Sequence, residues 1–305
     1  ILKLRQLCDH PEILHRSALS SAAAAASSTA SSKASDCVDV DRGFNDHVKS
    51  VLAQCGCTGL QQGAAATAQQ SGKMAVLMAL LEHFRDTGAG DRTVVVSNFT
   101  SCLDTVGSLL DACGMVHVRL DGKTPANARS GIVEKFNSPS SHASVFLLSS
   151  KAGGIGLNLV GANRLVMMDP DWNPATDAQA CARVHREGQK KHVHVYRLFQ
   201  AGTIDEKILQ RQRSKELTQG VVGAETQGGG AGSQQGGGGK FTAEELRDIF
   251  SLKEDSVCDT VGASVLAEFQ GTALAGHGFH SLDESTRKLC EADPDLVQVG
   301  VSTGL

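Results

Sequence analysis

Arg183 and Arg186 stand three residues apart in RVHREGQKK and follow Gln179 at spacings of four and three, so the three share one face of a helix predicted over 174–188. No acidic residue lies four positions before either arginine. A guanidinium held on a rigid helix offers five N–H donors in a fixed fork, which suits phosphate oxygens and the charge that builds on a phosphoryl group in transfer. On spacing alone, the alternative is a solvated face that binds nothing. A second stretch, SSKAGGIGLNL (149–159), sets two serines, a lysine and three glycines directly after an apolar run. Bare backbone N–H groups beside a cation can grip phosphate, and a tight turn that needs glycine is the equal alternative. Trp172, the only tryptophan, lies between Asp171 and Asn173, either packed in the core or wedged against a sugar or base. RLDG (119–122) reads as a strand turning into a loop.

Two lysine motifs are not phosphate loops. SGKM (71–74) and GGGGKF (236–241) lack the upstream glycine spacing and the Ser or Thr after the lysine that would reach Mg²⁺. No acidic box for Mg²⁺ accompanies them. The sequence thus carries groups for a γ-phosphate without a seat for a β-phosphate.

Such residues need a scaffold, and the apolar period supplies one. SGKMAVLMALLEHFRDTG (71–88) spaces Met74, Leu77, Met78, Leu81 and Phe84 on one helical face. After it, strands (TVVVSN, MVHVRL, SVFLLS, RLVMMD, HVHVYRL) alternate with helices (TSCLDTVGSLLDACG, PANARSGIVEKF, PATDAQACARVHREG, TIDEKILQRQRSKELTQ). That alternation predicts an α/β fold, a mainly parallel sheet with helices on both faces. Ligands of such sheets bind at the C-terminal ends of the strands, where all the polar motifs fall.

The flanks differ in composition. SALSSAAAAASSTASS (17–32) and GAETQGGGAGSQQGGGG (223–239) are low-complexity, the second a flexible linker. Residues 71–222 carry 18 basic and 14 acidic side chains, whereas 223–305 carry 5 and 13, so an acidic extension follows a mildly basic lobe. Nine cysteines without a C-x-x-C pair predict reduced thiols and no metal site. No apolar run approaches the ~18 residues of a membrane span, and no signal peptide opens the chain, which begins on Ile within what reads as a longer protein.

The ordered set VVVSNFTSCLD, VRLDG, SSKAGGIGLNL, DPDWNPATDAQACARVHREGQ and TIDEKILQRQ resembles the second RecA-like lobe of SWI/SNF-type DNA-dependent ATPases, within helicase superfamily two. FNSPSS, SSKAGG, GQKK, AGTIDEKI and FTAEELRDIFSL (241–252) are most similar to its Rad fifty-four-like recombination-repair branch. The resemblance divides the chain into the end of an inter-lobe helical segment (1–14), an insertion and linker (15–70), the RecA-like lobe with a brace helix (71–222), the glycine linker (223–239) and the acidic extension (240–305). The insertion and extension are expected to be poorly ordered. It also implies an ATP hydrolase that translocates on duplex DNA in homologous recombination and double-strand-break repair, in the nucleus. Arg186 is then the arginine finger, Arg183 its neighbour and Gln179 a coupler to DNA, while Gly154, Gly156 and Asn158 line the nucleotide side. Ser97, Asn98, Ser149, Ser150 and Lys151 would grip the phosphates of one strand, and Trp172 would press toward the minor groove. ATP and Mg²⁺ are held mainly by a first RecA-like lobe, so this chain alone is expected to be inactive. The other partner is a strand-exchange recombinase filament. A nucleosome-remodelling ATPase, or a non-catalytic DNA- or protein-binding module, is the alternative.

Overall fold

Alternate residues of the strand runs go to two different cores, and this two-sided burial makes the sheet. The computed structural model describes residues 1–14, 16, 50, 70–86, 90–153, 156–225 and 247–253, with side chains in the last long helix as far as Lys215. In chain order the elements are α1 (Leu2–Asp9), α2 (Gly72–Asp86), β1 (Thr93–Ser97), α3 (Thr100–Ala112), β2 (His117–Leu120), α4 (Ala126–Asn137), β3 (Val145–Ser149), β4 (Arg164–Met167), α5 (Pro174–Val184), β5 (His194–Arg197) and α6 (Ile204–Glu225). A 3₁₀ turn, Ser150–Gly153, follows β3.

The five strands form one parallel sheet in the order β2-β3-β1-β4-β5, with Thr93 aligned to Val145 and Arg164 and Ser97 to Ser149. Val95, Leu147, Val166 and Tyr196 face α2 and α3 through Leu77, Leu81, Leu103 and Leu110. Val94, Val96, Phe146, Leu148 and Leu165 face α4 and α5 through Phe136, Ala180, Cys181 and Val184. Strands covered on both faces read as near-continuous apolar runs, as the three central strands β1, β3 and β4 do, whereas the edge strands β2 (HVRL) and β5 (HVYR) are only partly buried and carry His and Arg. The RecA-like parallel sheet with helices on both faces is therefore present. β1 and β4 are neighbours whose outgoing helices, α3 and α5, cover opposite faces, so the crevice for ligands opens between their C-terminal ends.

All the predicted strands and helices of the lobe form, with shifted ends. One shift corrects the reading of the arginines. α5 starts as expected, with Pro174 in its first turn and the Asn173 side chain accepting from Ala175 N at 3.2 Å. It ends at Val184, four residues short of Gly188. Leu159 N–H takes the Arg183 carbonyl at 2.9 Å and the Gln189 amide takes that of Val184 at 3.2 Å, so the acceptors that a further helical turn needs are already occupied. α6 runs three residues past the boundary predicted at 222. Of the insertion, only residues 16, 50 and 70 are described, and of the acidic extension only 247–253; the remainder, including the start of FTAEELRDIFSL, lies outside the described residues.

Candidate functional site: an exposed arginine turn and a strand-end cluster

Arg186 sits beyond α5, not on its face, in a turn closed by Gln189 N donating to Arg186 O at 3.0 Å. Gly188 holds φ +97° there, a left-handed conformation that side-chain-bearing residues rarely adopt. The guanidinium is exposed and makes one hydrogen bond among the described residues, Nη1 to Gly156 O at 3.2 Å. Arg183, by contrast, is buried at 8% exposure, and burial lowers its pKa from the usual arginine range. Gln179 is exposed one helical turn earlier. The three residues therefore do not share one surface: Arg186 and Gln179 face solvent, and Arg183 is held inside.

Residues assigned no role from the sequence fix this turn. Gln189 Nε2 donates to Ala162 O at 2.6 Å and to Val160 O at 3.3 Å, besides Val184 O. Asn137 at the end of α4 donates to Asn158 O at 2.7 Å and accepts from Gly161 N at 2.9 Å. A Cβ on Gly161 would lie 2.8 Å from Asn137 Cα, so only glycine permits that approach. Arg129 of α4 holds the Ala152 carbonyl at 3.1 Å. The loop between β3 and β4 is thus pinned at 152, 158 and 161, with Gly156 exposed between the first two pins and the Asn158 side chain exposed at the second. Gly154 lies outside the described residues.

The expected duplex-contacting residues gather at the C-terminal ends of β1 and β3. Ser97 Oγ donates to Asp169 Oδ1 at 2.6 Å, Asn98 N to both Asp169 oxygens at 3.1 and 3.0 Å, and Ser150 Oγ to Asn98 Oδ1 at 2.5 Å. Ser97 and Ser149 are buried at 1% and 2% exposure, so their hydroxyls build the edge from inside. Asn98 and Ser150 are half-buried and Lys151 is exposed, and these three are the members that face outward. Trp172 is half-buried against Cys8, Ile204, Ile208 and Ile249, so its ring packs on α1 and α6 rather than standing free in the loop. Asp121 of RLDG pairs with Arg119 at 2.9 Å and accepts from Lys123 N at 2.8 Å, the bonding of an Asx turn.

Behind this edge lies a buried ionic cluster with no local sequence signal. Lys73, of the rejected SGKM motif, pairs with Asp9 of α1 at 3.0 Å and with Asp205 of α6, and donates to Met168 O at 2.8 Å. Arg5 of α1 lies 3.6 Å from Asp169 and donates to Pro170 O at 2.6 Å. Burial pushes the pKa of Asp9 well above the carboxylate range, with Lys73 opposing, and that of Asp169 up, with Ser97 opposing. Lys73 itself is raised: burial disfavours its charge, but Asp205 and Asp9 outweigh that. Among the described residues no group of three or more His, Cys, Asp or Glu is arranged to hold a metal ion, and no helix is long and apolar enough to cross a membrane.

The sequence is similar to known proteins. The helicase conserved C-terminal domain family matches residues 72–188. The chain is 43% identical over 255 residues to the DNA repair and recombination protein RAD54 of Oryza sativa subsp. japonica, covering 83% of this chain and 24% of that protein. It is 42% identical over 260 residues to a RAD54-like DNA repair and recombination protein of Danio rerio, 85% of this chain and 31% of that one. Protein CHROMATIN REMODELING 25 of Arabidopsis thaliana is 41% identical over 258 residues, 84% of this chain and 26% of that one. The chain therefore spans about a quarter to a third of the length of these curated relatives. The crystal structure of the C-terminal part of a Fun30 ATPase domain aligns at TM-score 0.46 and 27% identity over 62% of this chain and 67% of that chain.

Proposed function

This chain carries a C-terminal helicase lobe of the SWI/SNF type, akin to the RAD54 group of recombination proteins, and from that premise we propose that it is the second motor lobe of an ATP-driven duplex DNA translocase in recombination repair. The observation that carries the reading is Arg186: an exposed guanidinium on a glycine-closed turn, steadied by Gly156 O and with other N–H groups pointing to solvent. ATP is the substrate. It and its Mg²⁺ are bound mainly by a first RecA-like lobe, and Arg186 supplies charge to the γ-phosphate as that phosphate gains negative charge in transfer. Arg183, Gln179, Gly154, Gly156 and Asn158 shape this side of the cleft. Arg183 does so from within α5, as a support for the turn.

On the other surface, Asn98, Ser150 and Lys151 contact the phosphates of one strand, backed by Ser97 and Ser149, with Trp172 beside the path. Phosphate contacts read no sequence, so binding is sequence-tolerant and weakens with salt. Lobe closure on ATP and reopening after hydrolysis would step the duplex past this edge. The setting is nuclear, with a recombinase filament as the protein partner. The likeness to the Arabidopsis protein CHROMATIN REMODELING 25 keeps nucleosome remodelling as the second reading.

The test is duplex-stimulated ATP hydrolysis by the full-length protein and its Arg186→Ala variant. The expected loss is on the order of 10³-fold in rate with duplex affinity unchanged. A variant as active as the parent overturns the assignment, and a parent that binds duplex but never hydrolyses ATP favours a binding module. Adding recombinase filaments or nucleosomes to the same assay separates the two protein partners.

A further inference from the structure

The loop joining β4 to α5 has its backbone carbonyls taken up in turn by side chains from distant parts of the chain. Lys73 of α2 donates to Met168 O at 2.8 Å and Arg5 of α1 to Pro170 O at 2.6 Å. From α6, Gln212 donates to Asp171 O at 2.6 Å and Lys215 to Trp172 O at 3.2 Å. Gln212 is buried, and the same nitrogen, Nε2, also donates to Asp177 Oδ2 at 2.7 Å. An amide nitrogen has two hydrogens, and here one goes to the loop and the other to the first turn of α5. Through Gln212, α6 therefore grips both the segment that carries Trp172 and the helix that carries Arg183.

We propose that Gln212 is a positioning residue that couples the orientation of α6 to the Trp172 loop and to α5, so that a displacement of α6 is passed to the duplex-facing edge. The part that concerns DNA rests on the reading of that edge as a duplex site. The coupling itself does not. Asp177 makes it sensitive to acid. Gln212 faces it from α6, Arg197 from β5, Asp171 from the loop and Cys181 from its own helix. Burial, opposed by the Gln212 hydrogen bond and Arg197, pushes its pKa up to about 6. Protonation there removes the charge that strengthens the Gln212 bond, and the grip on α5 loosens.

Trp172 is the only tryptophan in the chain, so its emission reports on this loop directly. The experiment measures emission and iodide quenching of the 305-residue chain across pH, and its affinity for a labelled duplex at neutral pH, for the parent and for Gln212→Met, Lys215→Met and Asp177→Asn. In Gln212→Met, quenching should rise about twofold and duplex affinity fall about tenfold, the loss expected from one charge-assisted bond. Lys215→Met should give a smaller change of the same sign. The parent's emission should shift with a midpoint near pH 6, and Asp177→Asn should abolish that shift, a response that a merely structural role would not produce.

A folded Gln212→Met whose Trp172 emission and quenching match the parent overturns the proposal. So does altered emission with unaltered duplex affinity, which would show that the loop moves without consequence at the edge. Should Gln212→Met not fold, Asp177→Asn decides: an unchanged pH response overturns the coupling. Parent affinity is measured first. A parent that does not bind duplex sinks the duplex reading, while the fluorescence still decides the coupling.

Discussion

Replacing Lys73 by methionine should destabilise the lobe more than any surface change, and should do so in a pH-dependent way. The Lys73 side chain is 2% exposed, and its ammonium is shared between Asp9 and Asp205, both side chains at 0%. Methionine fills a similar volume but leaves two buried carboxylates without their common cation, beside a third, Asp169. Breaking a buried ion pair from one side costs about 3–5 kcal/mol. For a domain of this size each kcal/mol moves Tm by about 2–4 °C, so Tm should fall by about 10 °C at neutral pH. The sign with pH follows from Asp9, whose folded pKa is already above its ordinary value of 3.8 and whose strongest downward influence is Lys73. Without Lys73 the folded state binds a proton more tightly still. Between the ordinary carboxylate range and that raised value the folded state holds more protons than the unfolded one, and stability rises as pH falls. The gap between variant and parent should therefore narrow as pH falls from neutral toward the ordinary carboxylate range, read by urea titration followed by circular dichroism. Adding Asp9→Asn and Asp205→Asn should recover most of the loss. A neutral-pH loss below about 1 kcal/mol, or a gap that widens in acid, would refute the cluster's role.

Three further outcomes are expected. Gly161→Ala, whose Cβ would meet Asn137 at 2.8 Å, should cost about 1–3 kcal/mol in urea unfolding. A neutral result would mean that the α4 contact gives way freely. Gln189→Ala removes the two amide hydrogens shared among three carbonyls and should cost about 1–2 kcal/mol. In the full-length protein it should lower ATP hydrolysis by more than its stability loss explains, because Arg186 shares the turn; equal losses would argue that the turn only supports the fold. Asp177→Asn removes a carboxyl whose folded pKa of about 6 exceeds its ordinary 3.8, so the parent loses stability as pH rises from about 4 to about 6. That decline, worth up to about 3 kcal/mol, should be shallower in the variant, and identical pH profiles would count against the raised pKa.

The lobe was legible because its signals are local. β-branched runs alternate with 3.6-residue periods, and each set of alternate strand residues finds its own helical layer. The end of α5 was not legible, since HREG continues a plausible helix and what stops it arrives from Leu159 and Gln189. Burial of Arg183 follows from the same tertiary contacts. Lys73 could be refused as a phosphate-loop lysine from its neighbours, but its actual partners lie 64 and 132 residues away. Trp172 belonged to a recognisable motif, yet its packing depends on α1 and α6, which no spacing in DPDWNP announces.

With 22 residues and a rise of 1.5 Å each, α6 is about 33 Å long. Its base is fixed at Asp205, Ile208, Gln212 and Lys215, while α1 is fastened to the same corner through Asp9. It thus has the proportions of a lever with its fulcrum at the ligand edge. The ten residues beyond Lys215 span about 15 Å, so a tilt of about 10° where the anchored part ends would swing the tip by about 3 Å. Load applied to α1 or α6 then enters as torque on this fulcrum and meets the sheet at its C-terminal edge, through Lys73 at Met168 O and Arg5 at Asp169. The sheet can stay rigid while the flanks do mechanical work.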